Sequence, residues 1–186
     1  MISKKALFLS ALLGAAALPA AATECGAANH NLMAPFAGHW RDDVGDTYDI
    51  APGKISQTFT VHSDKGDERH SWKPRLVITD DEKDPNNSLL DCRQMLVAER
   101  DSLNEVMTGL AAKQNSERAA DADYVSHETI ALFRTYLASP PYPMMAATHN
   151  GNEQWLVLVK NPDRLVDVFY GENHFVVHVY AKTTEK

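Results

Sequence analysis

The sequence predicts an α+β fold in which an antiparallel β-meander is interrupted by two inserted helices. Three observations carry this. Residues 36–78 read as short strands cut by Gly, Pro and Asp turns. Residues 100–137 repeat their apolar side chains at helical spacing. Residues 154–181 return to β patterning and hold a tight hairpin turn.

The first 22 residues read as a secretory signal peptide rather than as part of the fold. Lys4 and Lys5 form a positive n-region, residues 6–18 an apolar core, and Ala20-Ala21-Ala22 a small-residue cleavage site. The apolar run is shorter than the roughly 20 residues a membrane-spanning helix needs. No second such run follows, so no membrane span is expected, and the destination is a bacterial periplasm or the exterior. Residues 23–35 are expected to be a flexible N-terminal segment and 36–186 a single globular domain.

Gly38 to Asp42 should be the first strand of that domain, turned at Asp43-Val44-Gly45 into Asp46 to Ile50. Ile55 to Val61 alternates Ile55, Gln57, Phe59 and Val61 against Ser56, Thr58 and Thr60, a half-buried strand by its period of two. Glu68 to Ile78 follows, and Asp80 to Asn87 is an acidic loop. Cys92 to Ala98 fits either a strand or the start of a helix. Leu103, Val106, Met107 and Leu110 mark one helix over 100–113, and Gln114 to Asp123 reads as a polar linker. Ser126 should cap a second helix carrying Ile130, Phe133, Tyr136 and Leu137, which Pro140, Pro141 and Pro143 stop. Gln154 to Val159 is apolar on both faces, so both faces should be covered, the outer one by the helices. Leu165 to Tyr170 and His174 to Ala181 then pair across a turn at Gly171-Glu172.

The formal charge is −7, and removal of Lys4 and Lys5 makes the mature chain more acidic still. Nucleic acid is therefore not an expected partner. Cys25 and Cys92 form an even pair, and in an oxidising compartment they read as one disulfide, which would stabilise the fold by about 4 kcal/mol. The rival, a lipid-modified Cys25, is disfavoured by Glu24 before it.

Gly38-His39-Trp40 resembles the G-x-W signature at the start of the first strand in lipocalins and the wider calycin group. The resemblance covers residues 36–61 and implies barrel-like closure with the tryptophan plugging one end. The chain departs from that family because its helical stretch interrupts the strands instead of following the eighth. The expectation is thus an incomplete calycin-like barrel.

Pairing across Gly171-Glu172 sets Asp167 opposite Val176, with His174 and His178 as diagonal neighbours and Tyr180 on the same face. Trp40, Asp167, His174, His178 and Tyr180 are accordingly the candidate ligand-binding residues. His174, His178 and Asp167 are also candidate ligands for zinc or copper. Those two histidines stand about 13 Å apart along a strand, so one ion would need a third element. His39, His62 and His70 extend the pool. Met144, Met145 and His149 are soft donors beside the Pro-rich loop, though adjacent methionines usually fill core gaps.

No catalytic residue is assigned and no cofactor is expected. His127-Glu128 lacks the second histidine of H-E-x-x-H, since Ala131 stands there. The acidic turns at 42–46 and 80–84 do not match an EF-hand. No nucleophile elbow or phosphate-binding loop occurs. The expected function is an exported, non-catalytic binding protein for a small apolar molecule or another exported protein. The alternatives are a periplasmic divalent-metal binder and a small hydrolase using carboxylates.

Overall fold

A computed structural model describes residues 23–24, 30–63, 66–72, 90–117, 125–149 and 151–184. The signal peptide, Cys25 and the acidic loop at 80–87 lie outside the described residues. Ten strands form one antiparallel sheet: β1 (Thr23–Glu24), β2 (Gly38–Arg41), β3 (Thr47–Ala51), β4 (Lys54–Ser63), β5 (Gly66–Trp72), β6 (Leu90–Met95), β7 (Tyr142–His149), β8 (Asn152–Val159), β9 (Arg164–Gly171) and β10 (His174–Thr183). Their order across the sheet is β1-β6-β7-β8-β9-β10-β2-β3-β4-β5. Two meanders, β2–β5 and β7–β10, are thereby joined edge to edge, with Lys182 of β10 opposite Trp40 of β2. The order is open, with β1 and β5 at its ends. The sheet is not closed into a barrel among the described residues.

Between β6 and β7 the chain forms α2 (Val97–Glu117) and α3 (His127–Tyr136), following a short N-terminal α1 (His30–Met33). Two inserted helices are found as expected, although α2 continues through Glu117 into the stretch expected to be linker, and α3 starts where Ser126 caps it by accepting the Thr129 N–H at 3.0 Å. The ambiguous stretch from Cys92 resolves into a strand followed by a helix.

Two strands were not expected: the two-residue β1, in the stretch expected to be flexible, and β7. Residues 142–149 were expected to lie in or beside a Pro-rich loop, yet they form β7, an interior strand paired with β6 and β8. Pro143 sits at its beginning, where a missing N–H does least harm to the ladder. Its buried residues are Met144, Met145, Ala146 and Ala147 rather than β-branched ones, so its centre carried little strand signal. Met144 and Met145 are both buried, but on opposite faces.

The sheet separates two cores. On the outer face, Leu103, Met107 and Leu110 of α2 and Phe133 of α3 pack against Trp155, Val157, Val166 and Val168. Leu156 and Leu158 point to the inner face. Both faces of β8 are therefore covered, as its unbroken apolar run predicts. The inner core gathers Trp40, Tyr48, Ile50, Ile55, Leu165 and Tyr180 with Met33 and Phe36. The stretch expected to be flexible up to Pro35 thus contributes Met33, which is fully buried.

Candidate functional site

The inner face curls strongly, and one hydrogen bond measures this. Tyr48 on β3 and Asp167 on β9 are three strands apart in the sheet. Three inter-strand steps span about 14 Å in a flat sheet. The Tyr48 hydroxyl nevertheless donates to Asp167 Oδ2 at 2.7 Å. Gln154 on β8 lies one strand further still, and its Nε2 donates to the Tyr48 oxygen at 2.8 Å and to both Asp167 oxygens at 3.1 Å. Side chains bridge what would be an open concave surface.

Asp167 is 2% exposed and central to this set. Its direct cross-strand partner is His178, because the hairpin turns at Glu172-Asn173 and pairs Gly171 with His174. The expected turn one residue earlier is corrected, and so is the pairing of Asp167 with Val176. Gly171 does not have the positive φ that a leading turn glycine would need. It is glycine because a Cβ there would collide with Asn152 Oδ1 and sit 2.7 Å from His174 Cε1. The two-residue shift preserves parity, so Asp167, His178 and Tyr180 keep their common face.

These three residues line a cavity of about 440 Å³ on the inner face, together with Gln154, Phe59 and Phe169. Gln57, Asp46, Thr60, Ala147 and Asn152 complete its wall. The volume falls within the range of small-molecule sites. The Tyr48 and Tyr180 rings meet edge to face at 5.0 Å beneath it.

Two of the five candidates lie elsewhere. Trp40 is fully buried in the inner core, and its Nε1 donates to the Phe36 carbonyl at 2.8 Å. Lys182 Nζ lies 5.3 Å from its ring centroid. Gly38, with φ of 148°, lets Lys182 in, since a Cβ there would come within 2.6 Å of Lys182 Cε. His174 stays at the hairpin end against Phe169, ring centroids 4.9 Å apart, with Nε2 buried and unpartnered. It is not the diagonal neighbour of Asp167, so the expected His174–His178–Asp167 metal set is not assembled. Among the described residues no three His, Cys, Asp or Glu side chains group to hold a metal.

Tyr48 and Gln154 were not among the candidates. Gln154 did leave a trace, as the polar member of the inward series Gln154, Leu156, Leu158 in a strand buried on both faces. Tyr48 left none, because its partners lie on other strands. In the acidic turn at 42–46, Asp42 Oδ1 accepts the N–H groups of Val44, Gly45 and Asp46, while its Oδ2 is buried without a hydrogen-bond partner among the described residues.

Burial pushes the Asp167 carboxyl above the ordinary aspartate value of 3.8, while the Tyr48 hydrogen bond, the nearby His178 charge and Gln154 hold it back. Burial likewise drives the Tyr48 and Tyr180 hydroxyls upward, each reinforced by the Asp167 charge. A raised folded value means that the folded state holds the Asp167 proton where the unfolded chain has lost it. Its contribution is complete below pH 3.8 and is lost as pH rises through the higher folded value. Urea titrations at a series of pH values above 3.8 should therefore show wild type losing stability relative to Asp167→Asn as pH increases. A difference that grows the other way would contradict the buried, destabilised carboxylate.

No family model, curated protein or solved structure matches this chain.

Proposed function

We propose that this chain is an exported, non-catalytic binding protein that holds a small molecule in the inner-face cavity of an incomplete calycin-like barrel. The observation that carries this reading is the 440 Å³ cavity lined by Asp167 and Gln154, which Tyr48 ties together by hydrogen bonds. A wall that combines the hydrogen-bonded pair Asp167 and Gln154 with the aromatic side chains Phe59 and Phe169 suits a ligand with an apolar body and one polar end. That modifies the purely apolar ligand expected earlier, and it favours a small molecule over a protein partner. No helix among the described residues is long and apolar enough to cross a membrane.

Export rests on the basic, apolar and small-residue order of the first 22 residues. It goes with a Cys25–Cys92 bridge. Cys92 is buried, no described cysteine is free, and β1 sets Thr23 opposite Cys92, two residues before Cys25.

Native mass spectrometry of protein recovered from its own extracellular or periplasmic fraction tests these points together. The polypeptide mass should correspond to a chain starting at Ala22's successor, Thr23, less two hydrogens for the bridge. A small-molecule adduct should accompany it. Ala147→Phe, which projects a ring into the cavity, should abolish the adduct while leaving circular dichroism unchanged. Full-length protein with free thiols would overturn export. Absence of any adduct, with no thermal shift in a metabolite extract, would overturn ligand binding.

A further inference from the structure

Apart from the exposed His178, the ionisable side chains among the described wall residues are two aspartates and the Tyr180 phenol. Asp46 and Asp167 both lie on its wall and are 8% and 2% exposed. Among the described residues no lysine or arginine lines the cavity or forms an ion pair with either carboxylate. Asp167 is held by Tyr48 and Gln154, and Asp46 Oδ1 accepts the Thr60 N–H at 3.0 Å. These are neutral donors. They satisfy hydrogen-bonding capacity without cancelling charge. His178, opposite Asp167 and exposed, is the one basic side chain at the wall.

A buried carboxylate that forms no ion pair and has only an exposed imidazole nearby is costly, and a ligand that brings the opposite charge recovers part of that cost. The remaining walls suit the same chemistry. Phe59, Phe169 and Tyr180 present aromatic rings, which attract a cation over their faces. An anion would instead meet two carboxylates in a partly desolvated space. The acidic balance of the whole chain steers in the same direction, favouring approach of cations over anions.

We propose that the cavity selects a small organic cation, an amine or quaternary ammonium on an apolar or aromatic body. This rests on the ligand-binding reading above and names its chemical class. The charged head would sit towards Asp167 and Asp46, and the apolar body against Phe59 and Phe169.

Calorimetric titration of the whole mature protein with benzyltrimethylammonium, benzyl alcohol and benzoate tests it. These probes share a ring and differ in charge. The cation should bind at least about tenfold tighter than the alcohol, with benzoate weakest. Asp167→Asn should weaken the cation about tenfold more than it weakens the alcohol. Asp46→Asn, which keeps an oxygen to accept the Thr60 N–H, gives a second reading if the first variant does not fold. Equal binding of cation and alcohol, preference for benzoate, no binding of any probe, or indifference to both substitutions would overturn the proposal. A neutral or anionic adduct in the native mass spectra would also overturn it, yet leave the ligand-binding reading standing. Absence of any adduct would instead count against that reading.

Discussion

Trp40→Ala should cost about 3–5 kcal/mol of folding stability, the range for removing a large buried aromatic. The ring is fully buried among Phe36, Tyr48 and Ile50, so its loss leaves a void that the curled sheet cannot close. The Phe36 carbonyl also loses the Nε1 donor at 2.8 Å, and Lys182 loses the ring face beneath it. Trp40→Phe separates these contributions. It keeps most of the apolar volume and should cost less than the alanine substitution, with about 1 kcal/mol of its cost from the missing hydrogen bond. Urea unfolding of the three proteins reads the series. A loss below 1 kcal/mol for Trp40→Ala would mean that α1 and β2 do not pack as described.

Tyr48→Phe should cost about 2 kcal/mol, a large effect for removing one oxygen atom. The magnitude follows from what is left behind. Asp167 would lose its shortest hydrogen bond at 2.7 Å while remaining buried, and Gln154 Nε2 would lose one of its acceptors. A buried carboxylate left with only the Gln154 amide as donor is penalised more heavily than a neutral group. In the background of Asp167→Asn the same substitution should therefore cost clearly less. That coupling, read from the double-mutant cycle, isolates the interaction from the general effect of altering the core. Equal costs in the two backgrounds would show that Tyr48 and Asp167 act independently.

Much of the local structure was legible in the sequence because its signals are local. The alternation of Ile55, Gln57 and Phe59 places them on the inward face of β4, since successive strand side chains point opposite ways. The series Leu103, Met107, Leu110 faces the sheet because helical spacing aligns those positions. Ser126 caps α3 because its side chain reaches an N–H of the first turn. Strand β7 was hidden because its core residues are Met and Ala, which pack well in a sheet without advertising one.

The site divides along the same line. Asp167, His178 and Tyr180 share a face by parity alone, and that survived an error of turn position. Trp40 was misplaced as a ligand contact, since a buried tryptophan on an inner face reads identically whether it lines a cavity or fills a core. His174 was displaced because the turn falls at Glu172-Asn173, one residue later than the leading glycine suggests, which pairs His174 with Gly171.

By itself the sequence determined the succession of a β-meander, two helices and a closing meander, and the face that side chains take in β4 and on the final hairpin. All of these follow from periodicities over a few residues. Only the tertiary structure decided that Tyr48 meets Asp167 across 119 residues of sequence. That contact depends on the accumulated twist and curl of a sheet whose two meanders join through β10 and β2. No short window of residues contains that curvature, and the cavity exists because of it.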